Sequence, residues 1–127
     1  MELTLQKSLS RLYIKSFTGK SFIIAEDEYL TNIIIDDKIK RWNINKSELF
    51  NFEHYDKIVL SKPDIIIIGC GDTQILPSPD FINNFTSQDI GMEIMTTESA
   101  CKTFNVLISE HRKVVAGLTL RYRVYIQ

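Results

Sequence analysis

The sequence predicts one α/β domain of three layers: a mixed central sheet, helices on one side, and a β-rich N-terminal layer beside it. Three observations predict it. The run Ile65-Ile66-Ile67-Ile68 reads as a strand buried on both faces of a sheet, because neither set of alternate positions offers a polar side chain to water. From Pro63 onward the pattern runs strand, helix, strand, helix, strand. Before Pro63, short β-type runs are separated by polar turns, as in antiparallel sheets. With 127 residues the chain can bury a real core but not two ordinary ones, so residues 1–127 are read as a single domain.

In order along the chain, residues 12–17 and 21–25 read as strands joined by the turn Thr18-Gly19-Lys20. Residues 30–35 and 39–44 form a second pair across Asp36-Asp37-Lys38, with imperfect alternation that leaves room for a bulge or a wet face. Asn45 with Glu48 three residues on is a capping box and predicts a helix through about Tyr55. Ser78-Pro79-Asp80 predicts the start of another helix: a serine cap, a proline at the first helical position and an acid at the positive dipole end, with Phe81, Ile82 and Phe85 on its apolar face. Residues 92–95 read as the next strand. Ala100, Cys101, Phe104, Leu107 and Ile108 then share one helical face. Residues 114–118 return as a strand, followed by Leu120, Tyr122, Val124 and Ile126 alternating with Arg121, Arg123 and Tyr125 as a half-exposed terminal strand.

Composition excludes several classes. A net charge of -1 gives no reason to expect a polyanion-binding surface, so nucleic acid is not an expected partner. The apolar run 65–68 falls far short of the roughly 20 residues that span a bilayer. The N-terminal residues carry neither an unbroken apolar secretion signal nor an Arg-rich transit pattern, so the expected location is the cytoplasm. Cys70 and Cys101 belong to no metal-ligand spacing; no metal and no cofactor is expected.

If the strands at Ile65 and Met92 run parallel, their following loops share one carboxyl edge, where open α/β sheets hold ligands. There Gly69-Cys70-Gly71-Asp72-Thr73 would approach Thr96 and Thr97 at a helix start, whose free N–H groups favour an anion or a carbonyl oxygen. The competing structural reading is preferred: both glycines permit a tight turn and Thr97 caps its helix. The dinucleotide fingerprint is absent, since Gln74 stands where a third glycine is needed. Cys70 is the one candidate nucleophile, with His54 or His111 as base and Asp72 as orienter, against the bland alternative of a small buried residue. Lys102, Arg112 and Lys113 could pair with a carboxylate ligand or with Asp72 or Glu110, against the preferred reading of solvated surface charge. Asn105 is disfavoured in mid-helix, and its amide is expected to hold the glycine loop.

The stretch from Gly91 through Leu107, followed by Glu110-His111-Arg112-Lys113-Val114, resembles the Mth-type domain family. Pro63 to Gly71 and Pro77 match that family's strand, glycine loop and helix start in the same order. Departures fall in one neighbourhood: the family commonly has Thr where this chain has Cys70, Asp where it has Thr96, and Arg where it has Lys102. The resemblance implies a three-layer fold and, through a family member that assembles respiratory complex I, an accessory or assembly role. It implies a protein partner such as a respiratory or membrane-complex subunit, with a homodimer as a further option. The rival reading is a small-molecule binding domain, or a weak thiol enzyme, built on the glycine loop.

Overall fold

A computed structural model describes residues 11–120. Most of the expected terminal strand, from Arg121 on, lies outside the described residues. Strands β1 (Ile14–Phe17), β2 (Phe22–Ile24) and β3 (Asp27–Tyr29) form a small antiparallel sheet. Strands β4 (Ile33–Ile35), β5 (Ile39–Arg41), β6 (Ile65–Gly69), β7 (Gly91–Met95) and β8 (Val114–Leu118) form the main sheet in the order β5-β4-β8-β6-β7. It is mixed: β6 runs parallel to both β7 and β8, while β4 is antiparallel to β5 and β8. Helices α1 (Asp56–Leu60), α2 (Pro79–Thr86) and α3 (Thr97–Ser109) complete the fold.

The central strand is hydrophobic on both sides because both sides are covered. Ile65 and Ile67 join Ile33, Ile35, Ala116 and Leu118 under α3 and the small sheet. Ile66, Ile68 and Cys70 face the opposite core, with Trp42, Tyr55, Phe81 and Phe85. The three-layer mixed-sheet class therefore stands, but the helices expected on one side are divided between two. Chain topology dictates this. From β6 the chain moves outward through α2 to β7, then back across β6 through α3 to β8. Two right-handed crossovers in opposite directions must leave the sheet on opposite faces.

The second core is aromatic. Tyr55 is fully buried with its ring edge-on to Phe81 and Phe85, each with centroids 5.5 Å away, and to Trp42 at 6.1 Å. Its hydroxyl donates to the Leu49 carbonyl at 2.5 Å, which removes the cost of burying a phenol. The capping box predicted at Asn45 is present in full, but it opens a single 3₁₀ turn, Lys46–Glu48, instead of a helix. A second 3₁₀ turn, Phe52–Tyr55, leads directly into α1. Phe50, Phe52 and Tyr55 must all reach one aromatic core, and a continuous α-helix, turning about 100° per residue, would put Phe50 and Phe52 on nearly opposite faces.

The strand β3 was not expected. It pairs with β2 across the two-residue turn Ala25-Glu26, with Ala25 in the left-handed region at φ 54°. The bulge falls in β1, between Ile14 and Ser16, and not in the β4–β5 pair where alternation is imperfect. At the outer edge of the sheet, β7 pairs only with β6 among the described residues. The Met95 carbonyl accepts the Cys70 N–H on the inner side, so the carbonyl of Ile94 points outward, and the Gln74 amide reaches it at 3.4 Å.

Asn105 does not hold the glycine loop. Its amide forms a two-point clasp on Ile14: Oδ1 accepts the Ile14 N–H and Nδ2 donates to the Ile14 carbonyl, both at 2.9 Å. These are backbone groups of the β1 residue beside the bulge, and giving them partners explains a poor helix former in mid-helix. Asn105→Ala should lower stability by about 1–3 kcal/mol, since two partly buried groups lose partners. Chemical denaturation checks this, and loss of amide-exchange protection confined to β1–β3 would locate the effect.

Candidate functional site

The parallel strands β6, β7 and β8 bring the glycine loop, Thr96-Thr97 and Thr119 to one carboxyl edge. The loop at Gly69–Thr73 does meet the start of α3, as the topology requires. What the sequence does not disclose is how tightly. Thr97 N–H donates to the Gly71 carbonyl at 3.0 Å, and Gly71 N–H donates to Thr97 Oγ1 at 2.8 Å. Thr97 Oγ1 donates in turn to the Thr119 carbonyl at 2.7 Å. Thr119 returns to β6, its N–H at 3.1 Å and its hydroxyl at 2.6 Å from the Gly69 carbonyl. Both threonines are fully buried.

The glycines serve this seam. A Cβ on Gly69 would lie 2.9 Å from Thr97 Cα and 3.2 Å from Ala100 Cβ, so glycine lets α3 approach the strand end. Gly71 has φ 94°, which a side chain rarely tolerates. Thr96, not Thr97, is the N-cap of α3, accepting the Ser99 N–H. Thr97 sits one residue further on and turns inward. Thr119 was missed; its only sequence signal is a hydroxyl directly after the buried strand 114–118.

Outside the seam lies a groove of about 320 Å3 between the β1–β2 turn and the loop, lined by Thr18, Gly19, Gly71, Asp72, Thr96 and Glu98. Its two ionisable groups are carboxylates. The anion or carbonyl ligand expected at this helix start would meet them first.

Cys70 is buried, its thiol within 3.1 Å of the Met95 carbonyl and 3.3 Å of the Thr73 carbonyl. Carbonyls accept the thiol proton in a hydrogen bond but do not remove it. Neither histidine reaches the thiol. His54 pairs with Glu48 at 3.1 Å, and His111 lies beyond the far end of α3, a helix of 13 residues and so about 20 Å long. Burial, helped by the Glu98 carboxylate, pushes the Cys101 thiol up to about 12, which makes it a packing residue at neutral pH. Lys102 lies on the exposed face of α3, 3.8 Å from Glu98. Arg112 follows α3 and so stands at the opposite edge of the sheet. Of the candidates, Gly69, Cys70, Gly71, Asp72, Thr73, Thr96 and Thr97 converge; Lys102, Asn105 and Arg112 do not join them. Among the described residues no group of three His, Cys, Asp or Glu side chains could hold a metal ion.

Residues 14–119 match a family described as Protein of unknown function (DUF498/DUF598). The chain belongs to this family. Among relatives, the 13 kDa major membrane protein of Francisella tularensis subsp. holarctica (strain LVS) is 29% identical over 117 residues, 90% of this chain and 95% of that protein. NADH dehydrogenase (ubiquinone) 1 alpha subcomplex assembly factor 3 of Xenopus tropicalis is 27% identical over 110 residues, 84% of this chain and 60% of that protein. The chain thus spans well under two thirds of the assembly factor. A solution structure of a Mth938-like domain from Bordetella pertussis superposes with a TM-score of 0.73 at 16% identity, covering 89% of this chain and 87% of that one. The DUF498/DUF598 chain thus has the Mth-type fold that its sequence resembles. Among its described residues no helix is long and apolar enough to cross a membrane.

Proposed function

We propose that this DUF498/DUF598 domain is a protein-binding accessory that serves the assembly of a larger complex, and that it catalyses no reaction. The closed carboxyl edge carries the reading. In an open α/β sheet the ligand crevice lies where neighbouring strand ends lead to opposite faces. Here that position, between β6 and β7, is filled by the hydrogen-bonded seam of Gly69, Gly71, Thr97 and Thr119. Cys70 sits beside it with carbonyls for neighbours and no base.

The names of the relatives support the same reading and suggest the class of partner, a subunit of a respiratory or membrane complex. The proposal places the encounter on the cytoplasmic side, with the chain itself carrying no spanning helix among its described residues. The test is gentle purification from the source cell followed by native mass spectrometry. A reproducible protein partner without a bound metabolite is the expected result. A retained small molecule, released by Asp72→Trp while the fold persists, would replace this reading with ligand binding in the groove at Asp72 and Thr96.

A further inference from the structure

At the opposite edge of the sheet, where β8 begins, lies a second groove of about 450 Å3. Its floor is apolar, made by the buried Leu12, Ile108 and Val114, which belong to one core. Its rim is charged: Arg11, Arg112 and Lys113 with Asp36 and Asp37 on the β4–β5 turn. Most of these charges are already engaged. Arg11 donates to the Asp37 carbonyl at 3.0 Å and Lys113 Nζ donates to the Ser61 carbonyl. Asp36 accepts the Lys38 N–H at 2.8 Å and lies 3.8 Å from the Lys40 ammonium. Arg112 is different: its guanidinium makes no hydrogen bond or ion pair with any described residue. A guanidinium is a planar fork of five donors, shaped for a carboxylate.

We infer that this groove binds the free carboxyl end of a partner's chain, the terminal carboxylate on Arg112 and the last apolar side chain on the floor of Leu12, Ile108 and Val114. A chain end unites a carboxylate and an apolar side chain within one residue, which is the pairing that an apolar floor beside an open guanidinium complements. The Asp36 and Asp37 carboxylates select against a simple anionic amphiphile, which they repel, and for a basic residue just upstream of the chain end. Although partial burial opposes the charge, the Lys38 N–H, Asp37 and the Lys40 ammonium hold the Asp36 carboxyl below its usual range, so Asp36 stays anionic at neutral pH. The volume suits a few residues of peptide and not a folded surface. The inference rests on the reading that the partner is a protein.

The test is fluorescence anisotropy with the full chain and a fluorescein-labelled peptide ending Lys-Ala-Leu, as the free acid and as the amide, with dodecanoate as a third probe. The free acid should bind saturably, and both amidation and Arg112→Ala should weaken binding by about tenfold or more, the loss of a charge-assisted bidentate contact. Arg112 is exposed and bonds to nothing described, so the variant should melt with the parent chain; a thermal scan checks this. Equal binding of acid and amide, indifference to Arg112→Ala, or no saturable binding at about 1 mM, a limit of weak association, would overturn the inference. So would dodecanoate binding that needs Arg112 while the peptide does not bind. If purified complexes keep their partner with Arg112→Ala, the assembly reading stands and this one falls.

Discussion

Gly117→Ala is expected to destabilise the domain by about 3 kcal/mol, and by more if the strand cannot shift, because overpacking forces backbone displacement in a close-packed core. The Trp42 ring lies flat over β8, and a Cβ on Gly117 would come within 2.6 Å of two of its carbon atoms. Neither partner has room to yield. Gly117 sits in a strand bonded on both sides, to Ile34 of β4 and Ile68 of β6. Trp42 is held by its backbone N–H, which donates to the Asn32 carbonyl at 2.8 Å, and its ring by the edge of Tyr55. Denaturant titration of Gly117→Ala, Trp42→Leu and the double variant isolates the contact. The double variant should be less unstable than the sum of the singles. Strict additivity would mean that the ring is not what excludes a side chain at Gly117.

Thr97→Val keeps the shape of the side chain and removes the seam's central atom. Thr97 Oγ1 both accepts from Gly71 and donates to Thr119, so valine strands one buried N–H and one buried carbonyl. Each group left without a partner costs about 1–3 kcal/mol, which puts the total near 2–6 kcal/mol. Thr97→Ser keeps the hydroxyl and should lose about 1 kcal/mol, the worth of one buried methyl. Thermal melting of both variants distinguishes a hydrogen-bond seam from simple packing. Equal losses for valine and serine would assign the stabilisation to the methyl group instead.

Those two sites mark where sequence reading stops. The sheet centre, the two crossover helices and the start of α2 were legible because each rests on local chemistry: a β-branched run, an apolar stripe at helical spacing, a serine cap before proline. The approach of the glycine loop to α3 was legible too, since parallel strands must present their ends together. The strand β3 was hidden, because Asp27 and Glu28 have low strand propensity and Ala25-Glu26 lacks the usual glycine of a two-residue turn. The roles of Thr119, Gly117 and Asn105 depend on partners 50, 75 and 91 residues away in sequence, at Gly69, Trp42 and Ile14, and no local pattern encodes such distances. The division of helices between faces needed the strand order, which the element order alone does not fix.

The outward carbonyl of Ile94, covered by Gln74, bears on colloidal behaviour. An unpaired strand at the end of a sheet is a template on which other chains add. Along β7 the template is interrupted twice: an amide side chain already occupies the Ile94 carbonyl, and the exposed Glu93 would face its own like charge in a symmetric antiparallel addition. A chain guarded in this way can accumulate to high concentration without polymerising through that edge.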